Sequence, residues 1–319
     1  MRLTRRSALA SLTATALLPR SALAQQRLNV VATTGMIADA ARNIGGAAAD
    51  VTALMGAGVD PHSYRQTRSD IVALTRSDLA LWNGLYLEAQ MEEFLLRLAG
   101  QKSVVAVGEA VPTDTLLRHA QYQGRVDPHI WMVPQIWRNA VIATRDALKT
   151  ALPDRAAEFD ANGATYLATV DALGAYATRA LAQVPAQTRV LVTAHDAFSY
   201  FGREYGFEVL GIQGISTQSE AGLQRIGQLV NILVERDIRA VFVETSVSDR
   251  NIRALIEGAE ARGHKVEIGG ELYSDAMGEP GTYEGTYEGM IDHNVTVIAR
   301  ALGADIPPAG MSGKLASGA

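Results

Sequence analysis

Apolar and polar positions along this chain alternate in blocks. The stretch LNVVATTGMIADAARNIGG, Leu28 to Gly46, shows the unit: a β-branched apolar run, a threonine, apolar positions at helical spacing and a Gly-Gly stop. It predicts a strand followed by a helix. The same alternation continues through VTALMGAG, SDIVALTRSDLALWNG, LEAQMEEFLLRLAG and KSVVAVGEA, which favours a parallel sheet covered by helices. From Pro153 to Val184 the pattern changes to one predicted helix of about 28 residues, well beyond the usual dozen. Gly163 and Gly174 interrupt it, and each weakens a helix interior. After Pro185 strand and helix alternate again through TRVLVTAHDAF, FEVLGIQGI, GLQRIGQLVNILVERDIRAVFVET and NIRALIEGAEARGHKVEIGGELYS, closing with the helix YEGMIDHNVTVIARAL. The expected architecture is α/β: an N-terminal lobe over 25–152, a connecting helix over 153–184, a C-terminal lobe over 185–307 and a flexible tail over 308–319.

Residues 1–24 change the picture at the front. Arg2, Arg5 and Arg6 precede a short apolar stretch and an Ala-Leu-Ala ending, the signature of a cleavable export signal. The adjacent Arg5 and Arg6 also suit a twin-arginine signal, leaving that route and general secretion both open. The leader carries four arginines and no acid, so its removal leaves 295 of 319 residues and takes the formal charge from −5 to −9. An acidic chain with no Lys/Arg cluster argues against nucleic acid or anionic lipid as partner. There are no cysteines, which excludes disulfides, thiolate metal sites and a lipidated N-terminal cysteine. The expected product is an unanchored, monomeric periplasmic protein.

Candidate chemistry centres on histidine. His62 and His129 each end a Val-Asp-Pro-His stretch. Proline fixes its own φ and holds the preceding aspartate extended, so each is a stiff corner that aims the next side chain. Each reads either as a surface turn or as one contribution to a shared target 67 residues apart in sequence. His195 follows the apolar run VLVT, at the carboxyl end of a predicted strand where open α/β sheets bind ligands; a buried core or capping histidine is the other reading. Asp275 lies in SDAMGEPGTYEGTYEG, as a turn residue or as a carboxylate donor. His119, His264 and His293 read as ordinary surface residues. Three imidazoles and one carboxylate suit zinc, or manganese if a second oxygen binds. The motifs H-E-x-x-H, G-x-S-x-G, G-x-x-x-x-G-K-[ST] and a G-x-G-x-x-G after the first strand are all missing.

GVDPHSY, NGLYLE, DPHIWM, VTAHDAFSYFGREYGFEVLGIQGIST, VFVETSVSDRNIRALIE and GELYSDAMGEPGTYEGTYEGMIDHN together resemble the zinc- and manganese-type (cluster A-I) substrate-binding proteins of ABC transporters. The resemblance spans nearly the whole mature chain in order. It implies two Rossmann-like lobes joined by a rigid helix, and His62, His129, His195 and Asp275 as ligands of a transported ion delivered to a membrane permease. Family members carry His or Glu as third ligand, the Glu type being the more manganese-oriented; zinc-dedicated members often add a His-rich loop before the second ligand. Here the third position is His195, and the stretch Leu116–Val126 holds only His119. Zinc is expected to bind more tightly than manganese at such a site. Asp60, Asp127, Asp196 and Glu244 are the candidates to orient the imidazoles. Two other functions remain open at this stage: an exported zinc hydrolase with Asp275 as general base, and a surface adhesin or scaffold.

Overall fold

The computed structural model describes residues 27–118 and 124–315; the export leader and His119 lie outside them. The first lobe holds strands β1 (Leu28–Ala32), β2 (Ala49–Ala53), β3 (Leu79–Trp82) and β4 (Ser103–Ala106), paired in parallel in the order β2-β1-β3-β4. Strand β3 is buried along its whole length, as a central strand covered by helices should be. Its helices are α1 (Gly35–Gly45), α2 (Arg68–Arg76), α3 (Glu92–Ala99) and α4 (Pro134–Ala151). A capping box starts α2: the Asp70 carboxylate accepts the Thr67 N–H while the Thr67 hydroxyl accepts from Asp70 N–H. The 18-residue α4 is an element the block alternation does not announce.

The second lobe repeats the wiring. Strands β5 (Val190–Thr193) and β6 (Glu208–Gly211) form one parallel ladder, and β7 (Ala240–Glu244) and β8 (Glu267–Leu272) form another. The two ladders adjoin through β5 and β7, giving the spatial order β6-β5-β7-β8, the counterpart of the first lobe. Helices α6 (Ser199–Tyr205), α7 (Leu223–Glu235), α8 (Arg250–Glu260) and α9 (Tyr287–Ala301) complete it.

Between the lobes runs α5 (Ala156–Leu181), 26 residues preceded by a 3-10 turn at Pro153–Arg155, hence about 39 Å long at 1.5 Å per residue. It packs against α1, α4 and α9, so it touches both lobes. Its two glycines have a packing reason. A Cβ at Gly174 would lie 2.1 Å from the Gln135 amide nitrogen, and one at Gly163 would lie 3.0 Å from the Arg145 side chain, so both admit α4 at close range.

Up to residue 315 the segment after α9 makes contacts with that helix. The Asp292 carboxylate accepts the Met311 N–H at 2.8 Å and the Tyr283 hydroxyl at 3.0 Å, and Leu315 is buried. Gly310 takes φ 74° beside that carboxylate, where a Cβ would approach to 2.5 Å. The Asp292 carboxylate thus gathers donors from Tyr283, Thr296 and the Met311 backbone. Among the described residues no helix is long and apolar enough to cross a membrane.

Candidate metal centre

The loops at the carboxyl ends of both sheets face each other across the cleft. His62 follows β2, His129 follows β4, His195 follows β5 and Asp275 follows β8. The two Asp-Pro-His corners are built alike. Asp60 Oδ1 accepts the His62 N–H at 2.9 Å, and Asp127 Oδ1 accepts the His129 N–H at 2.9 Å. Each aspartate thus folds a tight turn over its proline and swings the histidine ring inward.

All four side chains are buried, and one donor atom from each lies within 4.8 Å of every other. His129 Nε2 stands 3.2 Å from His62 Nε2 and 3.4 Å from His195 Nε2. Asp275 Oδ2 is 3.2 Å from His195 Nε2 and 3.7 Å from His62 Nε2, and its Oδ1 is 3.4 Å from His129 Nε2. Four donors about 2.0–2.1 Å from a tetrahedral ion lie about 3.4 Å apart, and these five separations, from 3.2 to 3.7 Å, fall around that value. Both Asp275 oxygens are buried and accept no well-formed hydrogen bond. A carboxylate left so under-partnered in a dry site is what a cation would satisfy.

Two of the imidazoles are held by carboxylates behind them. His129 Nδ1 lies 2.7 Å from Asp127 Oδ1; His195 Nδ1 lies 2.6 Å from Glu244 Oε2, while Glu244 Oε1 accepts the His195 N–H at 2.9 Å. With Nδ1 carrying the proton, each Nε2 presents its lone pair to the cluster. Of the four expected orienting acids, Asp127 and Glu244 fill that role. Asp60 instead orders its own turn and accepts the Ser63 and Thr217 hydroxyls, and Asp196 accepts the Ser199 hydroxyl. His264 and His293 stand apart, against the carbonyls of Ile238 and Glu271.

Charge separates the imidazoles. Burial pushes His62 down to about 4. Burial also pushes His129 down, but the Asp127 and Asp275 carboxylates outweigh it and raise it to about 9. His195 is raised well above its ordinary value because Glu244 and Asp275 outweigh its burial. Asp275, which burial alone would raise, is held far below the usual carboxylate range by His195 and His129. Without a divalent ion, the Asp275 carboxylate favours the protonated forms of His129 and His195 and they favour its ionised form.

Sequence reasoning missed the groups that brace the back of the cleft. Trp131 packs edge-on against His129 and donates its indole N–H to the Ser274 carbonyl at 2.8 Å, joining the lobes beside Asp275. The Tyr287 hydroxyl donates to the Trp131 carbonyl at 2.8 Å, and its N–H reaches the Asp39 carboxylate at 3.2 Å. Tyr166 on α5 donates to the same Asp39 oxygen at 2.8 Å. The aromatic Trp131 directly after DPHI was the one local signal.

Residues 30–301 match the model of the periplasmic zinc-uptake complex component A (ZnuA) family. The chain belongs to that family. Over 279 residues it is 48% identical to the manganese-binding lipoprotein MntA of Bacillus subtilis, covering 88% of this chain and 91% of that protein. It is 45% identical over 283 residues to the zinc-binding protein TroA of Treponema pallidum, covering 89% and 91%. The solved structure of periplasmic TroA superposes with a TM-score of 0.85 over 86% of this chain and 99% of that one. Membership in the ZnuA family sets the chain among transport components rather than enzymes, so the hydrolase reading falls.

Proposed function

We propose that this ZnuA-family chain captures one divalent transition metal through His62, His129, His195 and Asp275 and delivers it, from the periplasm, to an ABC permease. The observation that carries this is the buried four-donor cluster whose carboxylate oxygens lack partners. The relatives' names point the same way and split on the ion, since MntA is called manganese-binding and TroA zinc-binding. Edges near 3.4 Å and three nitrogen donors favour zinc on binding strength. Asp275 turns both oxygens inward, so manganese can gain a fifth donor. The deciding experiment loads metal-stripped protein with each ion and competes them under identical conditions; zinc is expected to displace manganese, and the reverse outcome overturns the zinc assignment. MntA is a named lipoprotein, whereas this sequence holds no cysteine; we place the mature chain free in the periplasm as a monomer.

Protons and metal compete for the same nitrogens. Nearby carboxylates raise His129 to about 9 and raise His195 above its ordinary value, so an ion binding at these nitrogens displaces protons. Zinc binding at pH 7 is therefore expected to release protons, measured by calorimetry in buffers of different ionisation enthalpy, and affinity is expected to rise with pH, about tenfold per unit for each proton displaced. The stability of the metal-free chain runs the other way. His129 is raised from an unfolded value near 6.5 to about 9, so its contribution is complete below about 6.5 and is lost as pH climbs through 9. A metal-free melting temperature that rises from pH 6.5 to 9 would contradict this charge assignment.

Glu244→Gln keeps the shape beside His195 but removes the charge that favours its protonated Nδ1. Metal affinity is expected to fall about 10- to 100-fold, read by competition against a chelating dye, with stoichiometry still one ion per chain.

A further inference from the structure

The back and the mouth of the cleft are closed by different kinds of contact. At the back, the lobes join through buried groups, the Trp131 to Ser274 bond and the Asp39, Tyr166 and Tyr287 cluster. At the mouth, the second lobe extends the connection between β6 and α7, residues Gly214–Gly222, over the first Asp-Pro-His corner. Gln218 Nε2 donates to the His62 carbonyl at 2.7 Å, and the Thr217 hydroxyl donates to Asp60 Oδ2 at 2.6 Å. Asp60 is the residue whose other oxygen sets the His62 turn, so the loop grips the corner that aims a donor of the cluster.

Within its own lobe the loop is held by the buried Gln213 side-chain amide, which donates to the Ser219 carbonyl at 3.1 Å, and by the Asp196 N–H, which donates to the Gly214 carbonyl at 3.3 Å. Ile215 is buried, but Gln218 to Glu220 and Gly222 to Gln224 are exposed. On its inner side lies a cavity of about 70 Å³ that reaches His62, walled by Ser216 and Gln218 from the loop and by Tyr86 and Arg125 from the first lobe. Arg125 stacks 3.2 Å from the centre of the Tyr86 ring. On its outer flank lies a recess of about 500 Å³ lined by Gln213, Glu220 and Arg225 among others. A segment with open space on both flanks, mostly exposed side chains and two polar ties to the opposite lobe belongs to the easily opened part of a fold.

We propose that residues 214–222 form a latch over His62, and that Thr217 and Gln218 are positioning residues that set how fast a bound ion escapes. This rests on the reading of the cluster as a metal site. Exchange then proceeds by lifting one loop while the braced back of the cleft stays shut. Breaking the two ties speeds loss of the ion far more than it slows capture, because the four donors keep their places.

The test uses the full mature chain and Zn²⁺, with release into excess chelating dye followed by stopped flow. Thr217→Val combined with Gln218→Ala is expected to raise the release rate about tenfold while zinc content stays at one per chain and the metal-free melting temperature stays at the parent value. A rise of less than threefold in a variant that still holds one zinc overturns the latch and leaves the metal site standing. In the parent protein, zinc is expected to slow hydrogen exchange of 214–222 more than that of the segments around Trp131 and Ser274. Equal slowing in both places also overturns the latch. A parent chain that takes up no zinc overturns the site itself, and the latch with it.

Discussion

Asp275→Asn is expected to abolish tight metal binding. The substitution preserves shape and removes the one negative charge that touches all three imidazoles. An ion entering the variant would face three neutral nitrogens and an amide, with no anion in contact to offset its charge in a dry site. Removing one partner of a buried charged cluster costs on the order of 3–5 kcal/mol, a loss of roughly a thousandfold in affinity. Equilibrium dialysis against zinc measures it; binding within tenfold of the parent would remove Asp275 from the ligand set. The metal-free variant is also expected to melt earlier. His195 and His129 owe part of their raised values to Asp275, and without it they shed protons that the parent keeps.

The second large effect is stabilisation by the ion itself. A ligand bound only by the folded chain adds about 4 kcal/mol at a thousand times its dissociation constant. For a chain of this size that raises the melting temperature by roughly 10 °C, and excess chelator should return it to the starting value. His62→Ala, at a position that is neutral and carries no proton to displace, is expected to remove most of this gain while leaving the metal-free melting temperature nearly unchanged. Calorimetric scans with and without zinc separate the two. A His62→Ala chain that keeps the full shift would show that the first corner does not reach the ion.

Local patterns were the legible part of this molecule. A β-branched run before a Gly-Gly stop announced β1 and α1, and the Pro153–Val184 stretch announced the connecting helix now seen at Ala156–Leu181. His195 stood out because an apolar run ends just before it. The two Asp-Pro-His corners were recognisable because proline and aspartate act over two residues. What could not be read is long in range. Nothing near Asp39 says that Tyr166, 127 positions on, will donate to it, and Glu244 differs from Asp196 as partner of His195 only through how β5 and β7 lie together. The contact between Met311 and Asp292 on α9 is likewise set by packing rather than by the residues next to either.

The raised values of His129 and His195 have a consequence beyond the cleft. A divalent ion entering between their nitrogens competes with protons there, and every proton it displaces carries away one positive charge. Loading therefore changes the field around the molecule by less than the ion's own charge. A membrane partner drawn by long-range attraction gains correspondingly little to tell full from empty carriers on approach. Discrimination then rests more on short-range fit at the rim and on how long each complex lasts.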